Sequence, residues 1–154
     1  MKRNIPSEED WGNYQDDLDQ DYAHGIFAGR DLAQVMPAFA RSSIDRAEEL
    51  QFMPTIPFQY YIFSFCEFVT SAEVLILNDG LDASDAASSF LNLVIYKLEH
   101  QKSDIEPIIN EVMPFVEQVA LNQSRYDADI DIYGDFKEKL FLIQKFAGNQ
   151  MASR

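Results

Sequence analysis

Asp127, Asp129 and Asp131 stand at alternate positions, and Glu138 follows at the twelfth place counted from Asp127. Carboxylates at that spacing are the oxygen ligands of a helix–loop–helix calcium site. The sixth place must take a positive φ and is normally glycine; here it is Ile132, whose branched side chain resists that backbone, and Gly134 comes two places late. A polar turn ending in a helix cap at Asp135 is the better reading. Calcium binding is kept only as a minor alternative.

A second acidic cluster is denser. Glu8, Glu9, Asp10, Asp16, Asp17, Asp19 and Asp21 follow one another with no Lys or Arg between them. Packing seven carboxylates together costs self-repulsion at modest salt. Asp is also a poorer helix former than Glu, so a face meant only for solvation would use more Glu. The cluster reads either as a soluble helix face or as a docking surface for a Lys- or Arg-rich protein.

Other chemistry finds little material. His24 and His100 lie outside the His-Glu-x-x-His and Glu-x-x-His spacings, and Asp21 with His24 supplies only two ligands. Cys66 sits within Phe63-Ser-Phe-Cys-Glu-Phe68, the setting of a small buried hydrophobe rather than of a thiolate nucleophile. Tyr60, Tyr61 and the Phe cluster read as core. Neither a glycine-rich phosphate loop nor Gly-x-Ser-x-Gly occurs, so the expectation is that the protein is not an enzyme and uses no metal or cofactor.

The surface charge narrows the partners. With 26 acidic against 12 basic residues the net charge is -14, which repels phosphate backbones and anionic lipid headgroups. Direct nucleic-acid binding needs a concentrated basic face, and Lys137, Lys139 and Lys145, interrupted by Glu138, do not make one. A single cysteine forms no intrachain disulfide and suits a reducing cytoplasm. The start of the chain lacks an apolar signal stretch, and the run Pro57–Leu77 is interrupted by Gln59, Glu67 and Glu73. A cytoplasmic, non-membrane protein is expected, as a monomer or weak dimer.

The elements that must position these residues are helical. With 47% hydrophobic and 13% aromatic residues, 154 residues can build one core without disulfide or metal support. Ser7 followed by Glu8, Glu9 and Asp10 marks a helix start, and Trp11, Tyr14, Leu18 and Tyr22 recur at helical spacing, with Asp16, Asp17, Asp19 and Asp21 opposite. Gly25 and Gly29 bracket its end. Asp31 caps a short helix carrying Leu32, Val35 and Met36 up to Pro37. Ser42 or Ser43 starts another through Ile44, Ala47 and Leu50, with Glu48 and Glu49 outward. Met53–Pro57 is a stiff connector. From Pro57, the residues Phe58, Tyr61, Ile62, Phe65, Phe68, Val69 and Ala72 predict a central helix covered on most sides. Asn78-Asp-Gly80 is a turn. Asp82 or Ser84 then starts a helix through Ala86, Phe90, Leu91, Val94 and Leu98. Ser103-Asp-Ile-Glu106 has the form of a capping box before Ile108, Ile109, Val112 and Met113; Pro114 kinks or restarts that helix, and Phe115, Val116 and Val119 continue it. Residues 126–134 form an acidic turn, and a last helix carries Phe136, Leu140 and Ile143. The pattern predicts one all-α domain over 1–154, a bundle of about six helices, frayed over 1–6 and 148–154.

Asp19-Gln-Asp-Tyr-Ala-His24, Met53-Pro-Thr-Ile-Pro-Phe-Gln-Tyr-Tyr61, Asp85-Ala-Ala-Ser88 and Tyr133-Gly-Asp-Phe136, taken in that order along the chain, resemble small acidic helical immunity proteins. Such proteins accompany bacterial contact-dependent growth-inhibition and related polymorphic toxins. The resemblance implies a stoichiometric inhibitor that binds the C-terminal catalytic domain of a cognate toxin, often a basic nuclease. The expected partner-binding residues are Asp16, Asp17, Asp19 and Asp21, and secondarily Asp127, Asp129, Asp131 and Asp135. Reversing the first four to Lys is expected to slow association and leave the fold intact. The competing reading is an acidic helical adaptor or regulatory protein, which could dimerise through exposed aromatics.

Overall fold

The computed structural model describes the backbone of residues 3–152 and the side chains of residues 3–148. It is an all-α domain, 80% helical, with no strand among the described residues. The α-helices are α1 (Leu18–Phe27), α2 (Leu32–Arg41), α3 (Ser43–Phe52), α4 (Thr55–Val69), α5 (Ala83–His100), α6 (Lys102–Ile105), α7 (Ile109–Ala120), α8 (Ile130–Tyr133) and α9 (Phe136–Ala152). The 3-10 turn Glu106–Ile108 separates α6 from α7, and the described residues hold more helices than the expected six or so.

α4 is the centre, as its predominantly apolar composition predicts. Phe58, Tyr61, Ile62, Phe65, Cys66 and Val69 are sealed from solvent, and α4 packs against α2, α5, α6 and α7. It starts at Thr55, so Pro57 stands in its first turn, where a missing N–H leaves no intrahelical bond unmade. α5 is the second inner helix: Ala87, Phe90, Leu91 and Val94 are buried against α4, while α3 and α9 flank it. Prolines 37 and 114 both lie inside helices that continue through them.

Four local expectations are corrected. The first helix is broken: Gly12 takes φ 60°, so Glu8–Trp11 and Tyr14–Asp16 are separate 3-10 turns and α1 begins only at Leu18. Its inner face is therefore Ala23 and Phe27, and Leu18 and Tyr22 face solvent at 87% and 62% exposure. On α3 the rotation also differs, leaving Ile44 exposed and Glu49 buried. Ser103 caps nothing; α6 already starts at Lys102, and Asp104 and Ile105 of the motif are buried. The last helix continues through Gly148 to Ala152; residues 1–2 and 153–154 lie outside the described residues.

Candidate functional site

α1 and α3 lie side by side, and this packing gathers the acidic cluster of one with that of the other. Asp17 caps α1, its Oδ1 accepting from the backbone N–H groups of Asp19 (2.9 Å) and Gln20 (3.2 Å). Ser42 caps α3 by accepting from the N–H of Asp45. Gln20 also donates to the carbonyl of Phe52 at 3.3 Å, tying the start of α1 to the end of α3. Between the two helices lies a hollow of about 240 Å³ lined by Asp19, Tyr22, Asp45, Glu48, Glu49 and Phe52.

None of those six residues is Lys or Arg, and the neighbouring Arg46 is already committed. Arg46 is buried, donates to Glu49 with Nη2–Oε2 at 2.9 Å, and donates through Nη1 to the carbonyl of Ala38. Burial pushes the Glu49 carboxyl above its ordinary pKa, and the Arg46 guanidinium opposes that shift. Asp19, Asp45 and Glu48 are exposed and carry no ion pair among the described residues. Tyr22 and Phe52 bring exposed aromatic surface to the same hollow. Its chemistry is thus three unpaired carboxylates beside two rings, an arrangement suited to ammonium or guanidinium groups. A second hollow of about 440 Å³ between α3 and α5 shares Glu48 and Phe52 with the first and adds Ile44, Leu93 and Tyr96.

The eight residues anticipated from sequence do not form one site. Of the N-terminal four, only Asp19 lines the α1–α3 hollow. Asp17 is a structural cap, and Asp16 lines a separate depression with Glu8, Gly12 and Tyr14. Replacing Asp17 along with the others would therefore also remove a cap. In that neighbouring region Glu8 accepts from the Tyr14 hydroxyl at 2.7 Å and pairs with His24 Nε2 at 2.8 Å, and the Tyr14 and His24 rings stack at 3.8 Å. The His24 contact, then that from Tyr14, holds the Glu8 carboxyl below its ordinary pKa.

Asp127, Asp129, Asp131 and Asp135 belong to another part of the bundle. Asp127 takes φ 54°, Asp129 caps α8 by accepting from the N–H of Asp131 at 2.8 Å, and Asp135 accepts from the N–H of Lys137 at 2.9 Å at the start of α9. No group of three or more His, Cys, Asp or Glu able to hold a metal ion occurs among the described residues. Sequence spacing puts Glu48 on the outer side of its helix and does not single out Asp45; only the α1–α3 pairing brings both to the hollow lined by Asp19. No described helix is long and apolar enough to cross a membrane. Comparisons with protein-family models, with curated proteins and with solved structures found no match to this chain.

Proposed function

We propose that the protein is an immunity-type inhibitor that binds a cationic toxin domain in the cytoplasm and blocks it sterically and electrostatically. The observation that carries this reading is the α1–α3 hollow, where Asp19, Asp45 and Glu48 converge beside Tyr22 and Phe52 with no free cation among the lining residues. A net charge of -14 steers a basic partner toward the protein, raising association about 100-fold at low salt. The hollow then supplies short-range contacts: carboxylates for lysine and arginine heads, rings for their flat or aliphatic parts. A toxin groove that holds phosphates would present such cations, and filling it excludes substrate. No catalysis is assigned to the protein.

The test is a binding measurement against the cationic C-terminal domain of a secreted toxin encoded beside this chain, with and without Asp19→Lys plus Glu48→Lys. Both side chains are exposed, so the variant folds. The expected result is a 1:1 complex that weakens with salt, and an association rate about tenfold or more slower for the variant. A variant that binds at the unaltered rate removes this hollow from the interface.

A further inference from the structure

The turn around α8 is held firmly yet buries none of its own four residues. Gln123 is its clamp: the side-chain amide donates to the carbonyls of Ala128 (2.9 Å) and Gly134 (2.8 Å), and its oxygen accepts from the N–H of Phe136 at 2.8 Å. Tyr133 adds a hydroxyl that donates to Asp85 Oδ1 at 2.8 Å, and Tyr126 anchors the entry by donating to the carbonyl of Val69. On this fixed scaffold Ile130 and Ile132 are 57% and 72% exposed, and Leu121 at the end of α7 is 58% exposed. Leu121, Ala128 and Ile130 belong to the apolar part of a groove of about 410 Å³ whose lining also includes Gln123, Asp135 and Lys137. Singly exposed apolar residues are ordinary, but here Leu121 and Ile130 come together in one groove, with Ile132 following on the same turn.

We propose that this groove is a second docking surface, and that its occupant is a basic amphipathic helix of a partner protein. The groove accepts an apolar side chain; the exposed carboxylates of Asp127, Asp129 and Asp131 on the adjoining turn, with Asp135 in the lining, outnumber Lys137 and meet lysines or arginines flanking that side chain. A second copy of this chain fits poorly, because two such acidic edges would face each other in a protein of net charge -14. The surface shares no lining residue with the α1–α3 hollow, so it stands whether or not the partner there is a toxin.

The experiment is a titration of isotope-labelled protein with a synthetic lysine–leucine peptide that forms an amphipathic helix, against a peptide of the same composition with its leucines scattered round the helix. The expected result is that amide shifts centre on Leu121 and residues 128–132 and that the scattered peptide binds about tenfold more weakly. Ile130→Ser with Ile132→Ser weakens the amphipathic peptide by a similar factor while leaving Tm nearly unchanged, because both side chains are solvated in the free protein. Equal binding of the two peptides, equal binding by the variant, or shifts confined to Asp19–Tyr22 and Glu48 would each overturn the inference. Failure at this groove leaves the Asp19 and Glu48 test above standing, and the reverse holds too.

Discussion

The ammonium of Lys97 lies 2.9 Å from the carboxylate of Asp104, with no part of the lysine open to solvent. Four more groups surround the pair: Lys97 donates to the Gln51 carbonyl at 3.1 Å and to the Gln101 side-chain oxygen at 2.5 Å, sits 4.2 Å from the centre of the Phe58 ring, and Asp104 accepts from the Thr55 hydroxyl. The network joins α3, α4, α5 and α6 at one point. Burial lowers the Lys97 pKa, and the Asp104 contact opposes that.

Removing one member of a buried pair strands the other. Asp104→Asn is expected to cost about 3 kcal/mol in urea unfolding, because the lysine charge loses its counter-ion. Adding Lys97→Met should restore part of that loss by removing the stranded charge. A double variant less stable than Asp104→Asn alone contradicts this account.

Alkaline pH should destabilise the protein through its buried phenols. Tyr61 donates to the carbonyls of Phe27 and Arg30, and burial raises its pKa far above the ordinary 10.0. Tyr126 is raised by burial as well. Unfolding returns both to ordinary values, so the unfolded chain loses these protons first. The stabilisation is whole below pH 10.0 and declines as pH rises from there toward the folded values, by up to about 1.4 kcal/mol per pH unit for each group. Thermal melts across the alkaline range check this, and Tyr126→Phe should flatten the decline.

Gln123→Ala should be costly for an exposed-region substitution. It removes three hydrogen bonds at once and leaves the Phe136 N–H buried without a partner, for a loss of about 2 kcal/mol. Amide hydrogen exchange over 127–136 should speed up more than exchange in α4. Uniform acceleration across the molecule would show that the clamp is not local.

Two neighbouring aspartates should behave differently. Asp17→Ala loses the α1 cap and about 1 kcal/mol, whereas Asp19→Ala, an exposed side chain with no hydrogen bond of its own, should change stability by less than about 0.5 kcal/mol. Chemical denaturation of the two variants side by side decides the matter, and equal losses would mean that Asp17 does no capping.

The helical class was legible because core spacing is dense where burial is complete. In α4, α5 and α7, apolar residues recur so often that tertiary context has little room to rotate the helix. Caps were readable where one side chain decides them, as at Asp31 and Ser42. The N-terminal segment misled because Trp11 and Tyr14 share a spacing with Leu18 and Tyr22 by coincidence. Gly12-Asn13 carried the break signal, and the aromatic period outweighed it. Asp104 was read as part of a cap because its partner Lys97 is contributed by the preceding helix. The candidate site was half legible: charge density flagged Asp19, but Asp45 and Glu48 acquire meaning only when α3 is laid against α1.

Cys66 gives the molecule a built-in clock. Its thiol is fully enclosed in the last turn of α4, and burial raises its pKa so that little thiolate forms. An alkylating reagent therefore reaches sulfur only when the whole core opens, and in excess reagent the labelling rate counts those openings directly. One native atom thus times the spontaneous unfolding of every variant discussed above, without a probe being engineered in.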